Sequence, residues 1–147
     1  MPDSVQTLVE TTIGASATLP ATFDGSGYGA LTFTAVGQVT DWTPAGQVYA
    51  VVTSNPIAQR STDKYKGTFN NGADSITVNR DDDDAGQVEI LTALSADADY
   101  AFSVTYRDAT VDYFTGKVVS FDTVAGGADS IVQRTISLER TRSTVTV

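Results

Sequence analysis

The chain has 147 residues, 41% of them hydrophobic, and a formal charge of −9 from 18 acidic and 9 basic side chains. That is the length of one domain with enough apolar content for a core, which excludes a wholly disordered chain. With neither Cys nor His, disulfides, thiolate chemistry, the commonest general base and the commonest transition-metal ligand are all excluded.

Thr, Val, Ser, Gly, Ala and Asp dominate, and 15 of the acids are Asp against 3 Glu. β-Branched residues suit a pleated surface and Asp and Gly suit turns, so a mainly β domain is predicted. The acid excess disfavours a conventional nucleic-acid binder, because phosphate affinity comes from Lys and Arg. Met1–Gly14 lacks the basic start and apolar run of a signal peptide. Val48–Val52 is too short to cross a membrane. A protein made and kept in a cytoplasm, without membrane insertion, is the expectation.

Residues 1–29 are polar and small and end in the Gly-rich run Asp24–Gly29. They read as a flexible arm with a short strand over Val5–Thr11, ahead of a single domain over 30–147. Leu31, Phe33 and Ala35 alternate with Thr32 and Thr34, the period of a half-buried strand. Turns at Val36-Gly37 and Thr43–Gly46 precede a strand over Gln47–Thr53. Ser54–Asp63, with Pro56 and Arg60, has no periodicity and reads as a long loop, either functional or a spacer. Lys64–Asn70 and Ser75–Arg80 flank Asn71-Gly72, a strong hairpin signal.

One helix is predicted, over Asp83–Ser95, with an apolar stripe through Val88, Leu91 and Ala85 or Leu94. The Asp81–Asp84 run stands at its start, with Asp82 and Asp83 as N-cap candidates facing the positive end of the helix dipole. Tyr100, Phe102, Val104 and Tyr106 then alternate with Ala101, Ser103, Thr105 and Arg107. In Val111–Asp122, Phe114 and Val118 are assigned to one face and Tyr113, Val119 and Phe121 to the other. Ile131–Thr141 places Val132, Arg134, Ile136, Leu138 and Arg140 together. About eight strands and one flanking helix predict a β-sandwich or barrel.

Catalytic constellations are weak. Counted from Asp81 as a calcium loop, Gly86 is sixth but Thr92 stands where Glu is required; counted from Asn79, Asp84 displaces the Gly. A helix cap is the favoured reading. Gly25, Gly27 and Gly29 lack the dinucleotide spacing, and no His is present to activate a Ser or Thr. No enzyme activity and no cofactor are expected. Trp42, beside Asp41 and Pro44 in a turn, reads equally as core or as contact surface.

An ordered set of segments resembles a known family. Phe33–Asp41, Tyr49 and the loop through Arg60, Lys64–Phe69, Asp82–Gln87, Tyr100–Thr105, Tyr113–Phe121 and Arg134–Arg140 together resemble the major tail tube protein of long-tailed, siphovirus-type bacteriophages. The resemblance spans about residues 30–142 and rests on the order of the segments, not on one motif.

It implies a β-sandwich with a flanking helix, and a structural virion protein in stacked hexameric rings that conduct DNA into the host. It implies assembly in the host cytoplasm, residence in the virion tail, and tail-tip, tape-measure and tail-terminator partners. DNA would pass without specific binding. An acidic lumen built from Asp side chains would suit that passage; the alternative is that the acids serve solubility alone. For inter-ring contact, the loop residues Asn55, Ile57 and Arg60 and the turn residues Asp41, Trp42 and Pro44 are the candidates. The rival readings are an Ig-like binding or decoration module, and the inner tube of a contractile tail or secretion apparatus.

Overall fold

The computed structural model describes residues 5–147, so Met1–Ser4 of the expected arm lie outside the described residues. The elements in chain order are β1 (Thr12–Ser16), α1 (Gly25–Gly29), β2 (Thr34–Val36), β3 (Val39–Thr43), β4 (Val48–Ser54) and β5 (Asp63–Asn70). β6 (Ala73–Asn79), α2 (Ala85–Ser95), β7 (Tyr100–Thr105), β8 (Val111–Val124), β9 (Gln133–Arg140) and β10 (Val145–Thr146) follow. The main sheet runs β2-β1-β7-β8-β9-β6-β3, with β10 added on β8, while β4 and β5 form a separate two-stranded sheet. Every pairing is antiparallel. The mainly β architecture predicted from composition is the one observed.

β2 and β3 stand at opposite ends of that strand order, yet only Gly37 and Gln38 separate them in sequence. Three Cα steps span at most about 11 Å, so the sheet must curl until its ends nearly meet. β8 carries the curvature. Its first half pairs with β7 and its second half with β9, and Gly116 belongs to both ladders. A Cβ at Gly116 would stand 2.6 Å from the Glu139 carbonyl oxygen, so only glycine fits this crossing. Beyond it a bulge at Val119 shifts the register, pairing Val118 with Leu138 but Ser120 with Ser137. The extra residue reverses the alternation and turns Phe121 toward the core beside Ile136. The assignment of Phe121 to the face opposite Phe114 is corrected on that ground.

Inside the curl lie Ile13, Val36, Ile76, Val78, Ile90, Phe102, Phe114, Ile136 and Leu138. Full burial of each large apolar side chain stabilises the fold by roughly 1.5–3 kcal/mol. Part of the stretch expected to be an arm is built into this structure. The strand forms at Thr12–Ser16, not Val5–Thr11, because Ile13 and Ala15 alternate into the core while Val5, Leu8 and Val9 remain exposed. Tyr28 of α1 is fully buried, with its hydroxyl 2.6 Å from Thr115 Oγ1.

α2 closes the seam between the sheet ends. Its N-cap is Asp84, whose carboxylate accepts hydrogen bonds from Gln87 N and, across the seam, from Gly37 N. The cap candidates Asp82 and Asp83 are thereby corrected. Asp82 turns to Arg80 and Arg134, and Asp83 N donates to Asp81 Oδ1. Buried Gln87 donates to Gly37 O and Asn79 O and accepts from Asp81 N. Gly86 lies against β2, where a Cβ would meet Ala35 O at 2.2 Å.

The buried face of α2 is therefore Gly86, Gln87, Ile90 and Ala93, while Val88, Leu91 and Leu94 of the predicted stripe are exposed. Replacement of Asp84 by Ala is expected to cost about 1–2 kcal/mol. The same change at Asp83 should stay within about 0.5 kcal/mol. Urea denaturation of both variants checks the assignment.

Candidate assembly surface

The hairpin of β4 and β5 presents every residue of β4 to solvent, and every residue of β5 after Asp63. Val48, Tyr49, Val51, Val52, Tyr65 and Phe69 are exposed, with Val51 at 62%. Isolated two-stranded hairpins are marginal in water, and contiguous exposed apolar surface marks a contact site.

The register gives each face its character. Val51 pairs with Lys66 and Thr53 with Lys64, while Tyr49 pairs with Phe69. Tyr49 and Phe69 have ring centroids 5.2 Å apart, and Lys66 Nζ lies 4.8 Å from the Tyr49 ring centre. One face therefore combines an aromatic pair with two lysines. At the far end, residues 55–62 form the tip, where Ile57 is fully exposed and Thr62 Oγ1 donates to Asn55 Oδ1 at 2.8 Å.

The root is held by a buried ion pair. Asp74 on β6 is 1% exposed and receives Arg140 Nε at 2.7 Å and Arg140 Nη2 at 2.8 Å. The same carboxylate accepts from Trp42 Nε1 at 3.1 Å and from Ala45 N at 3.0 Å, immediately before β4 begins. The Arg140 guanidinium also lies 4.0 Å from the Phe114 ring centre. On the return side Gly72 has φ +90, and a Cβ there would stand 2.7 Å from Gly46 O. Asn71-Gly72 thus turns the chain from one sheet to the other. β5 pairs with β4, and β6 pairs with β3 and β9, which corrects the predicted hairpin.

The six residues expected at a single contact surface fall into two groups. Asn55, Ile57 and Arg60 share the hairpin tip, and all three are exposed. Asp41, Trp42 and Pro44 lie at the root, roughly 20 Å away by the length of β4. Trp42 is a strand residue of the core, 8% exposed, not a turn residue; Asp41 and Pro44 beside it are exposed. Sequence reading found both hairpin strands, as Gln47–Thr53 and Lys64–Asn70, but not that they pair with each other and carry the exposed surface. The available signal was Val48–Val52, a run apolar on both faces, in a strand with a single hydrogen-bonded neighbour.

Electrostatics sharpen the asymmetry. Arg80, Arg107, Lys117, Arg134 and Arg140 each make an ion pair with a carboxylate of the chain. Among the described residues none of Arg60, Lys64 and Lys66 does so. The hydrogen bond from Arg80 holds the exposed Asp82 carboxyl below its ordinary value, with charge attraction from Arg80 and Arg134 adding to it. Its contribution is present above the ordinary carboxyl value of 3.8 and is lost as pH falls through the lowered one. Tyr106, near Trp42, is shifted upward chiefly by burial and then by its hydrogen bond to Asp112. No group of acidic side chains suited to a metal occurs among the described residues.

No protein-family model and no curated protein sequence matches the chain. Solved structures do. A chain of the SPP1 tail tube aligns over 92% of this chain and 75% of its own length, with TM-score 0.62 and 13% identity. A chain of the GTA particle tail, determined with C6 symmetry, aligns over 95% and 97% with TM-score 0.66 and 12% identity. A chain of the PVC sheath-tube complex, an extracellular contractile injection system, aligns over 99% and 93% with TM-score 0.67 and 8% identity. The fold is that of tail tube subunits.

Replacing Asp74 by Ala leaves the Arg140 guanidinium buried without its counter-charge and is expected to cost about 3–5 kcal/mol. Ile57→Asp at the tip should change stability by less than about 0.5 kcal/mol. Chemical denaturation of the free subunit distinguishes the two.

Proposed function

We propose that this chain is the tube subunit of a phage tail, a structural and non-catalytic protein that closes into hexameric rings and stacks them into a conduit for DNA. The observation that carries the reading is the exposed β4–β5 hairpin standing on a tail-tube fold. A preformed apolar arm with no covering partner in its own chain is an assembly device. The sheet ends at β2 and β3 supply further edges, and ring closure is one way to satisfy such edges without uncontrolled pairing.

The siphovirus-type reading rests on the sequence resemblance, and the likeness to the SPP1 tail tube supports the tube reading in general. Virion location, with tail-tip, tape-measure and tail-terminator partners, follows from the same reading. The inner tube of a contractile apparatus is the second reading, favoured by the near-complete alignment with the PVC chain; the difference would lie in a surrounding sheath. An acidic lumen fits a chain of charge −9. Duplex DNA carries one charge per roughly 1.7 Å of axis, so a wall poor in unpaired cations offers few places to stall.

Electron microscopy of the purified protein at rising concentration, with and without a tail-tip complex as nucleus, tests the reading. Hollow tubes wide enough for duplex DNA are expected, and Ile57→Asp should block stacking while leaving the subunit folded. Persistent monomers at high concentration with the nucleus present would overturn the proposal in favour of a binding or decoration module.

A further inference from the structure

Two apolar surfaces of this chain are left uncovered, and their charges are opposite. The first is the hairpin face with Tyr49, Val51, Lys64, Lys66 and Phe69, whose lysines form no ion pair among the described residues. The second is the outward face of α2, where Val88 is 48% and Leu91 45% exposed. Val88 and Leu91 border a groove with Asp81 and Asp82, and the neighbourhood holds Asp83, Asp84 and Glu89 as well. The arginines that line the groove, Arg80 and Arg134, are both already engaged by Asp82.

We propose that the Tyr49–Lys66–Phe69 face of the hairpin docks on the Val88–Leu91 face of α2 in a neighbouring copy of this chain, with Lys64 and Lys66 against the carboxylates around the start of that helix. The inference rests on self-assembly of the subunit and goes beyond it by naming both halves of one contact. The occupant is a second copy because a single surface must answer both features of the hairpin. An apolar patch has to meet its aromatic pair, and fixed negative charge has to meet its lysines. α2 supplies the two together, in a chain whose other lysine and most of whose arginines are already neutralised. Duplex DNA would engage the lysines and leave Val51 and Phe69 in water. Because the two surfaces differ, the contact is head-to-tail and repeats from copy to copy without self-limiting at a dimer.

The absence of cysteine makes the test direct. In a Val51→Cys/Val88→Cys variant, mild oxidation of assembled protein should give a ladder of disulfide-linked multimers on non-reducing gels. Each single variant should stop at dimers. Lys64→Glu/Lys66→Glu should raise the concentration needed for assembly about tenfold, as expected for two surface charge pairs. Adding Asp83→Lys/Glu89→Lys to that variant should restore assembly.

Native tubes without a ladder, or charge reversal without rescue, overturn the docking pair and leave the tube reading standing. Charge reversal that abolishes duplex DNA retention while assembly is unchanged also overturns it, assigning the lysines to nucleic acid. A native chain that never assembles overturns the tube reading and this inference with it.

Discussion

Asp74 accepts four hydrogen bonds while fully enclosed, from three residues that stand in different parts of the fold. Two come from Arg140 at the end of β9, one from the Trp42 indole on β3, and one from the backbone of Ala45, where the chain leaves the main sheet. A buried carboxylate of this kind is tolerable only because a bidentate guanidinium and two neutral donors replace its water. The same network fixes where β4 starts and so aims the hairpin. Without it the core strands could still pair, but the arm would lose its anchor on the barrel wall. Gly72 completes the root, since its left-handed backbone lets the chain return past Gly46 at a distance no side chain would permit.

The remaining architecture divides into a satisfied part and an unsatisfied one. The curled sheet, closed over by α2 through Asp84 and Gln87, buries its apolar side chains and pairs most of its cations internally. The hairpin does neither. β4 is apolar on both faces yet exposed, the basic residues of the hairpin form no ion pair among the described residues, and its tip projects Ile57 fully into solvent. α2 carries the complementary deficit, an exposed apolar face ringed by carboxylates. A subunit with both surfaces is incomplete alone, and the tail-tube fold gives the context in which each would find cover.

Much of this was legible in the sequence wherever one residue pattern determined one environment. The alternations in Tyr100–Arg107 and Ile131–Thr141 gave β7 and β9, because period-two patterns survive in strands packed on a core, and the Asn71-Gly72 turn marked the end of β5. The failures have particular causes. The α2 stripe was assigned to the wrong face because Gln87 is buried by three hydrogen bonds and Gly86 by close packing, neither of which registers as hydrophobic.

Phe121 was misassigned because one bulged residue reverses every side chain after it. The N-cap was placed too early, at Asp82 or Asp83, in a run of four identical acids, where composition cannot distinguish positions and the Gly37 amide selects Asp84. Trp42 was ambiguous because its partner, Asp74, lies thirty-two residues away in sequence. The uncovered hairpin surface was the least visible, since exposed apolar strands look like core until their neighbours are known.

The central claim is that the β4–β5 hairpin is an uncovered arm in the free subunit and becomes an interface on assembly. Amide hydrogen exchange, followed peptide by peptide in the free subunit and again in the assembled particle, tests it most directly. The account predicts fast exchange over residues 48–70 in the free state and strong protection there after assembly. β7, β8 and β9 should be slow in both states. A hairpin that exchanges at the same rate before and after assembly, while protection appears elsewhere, would contradict the account.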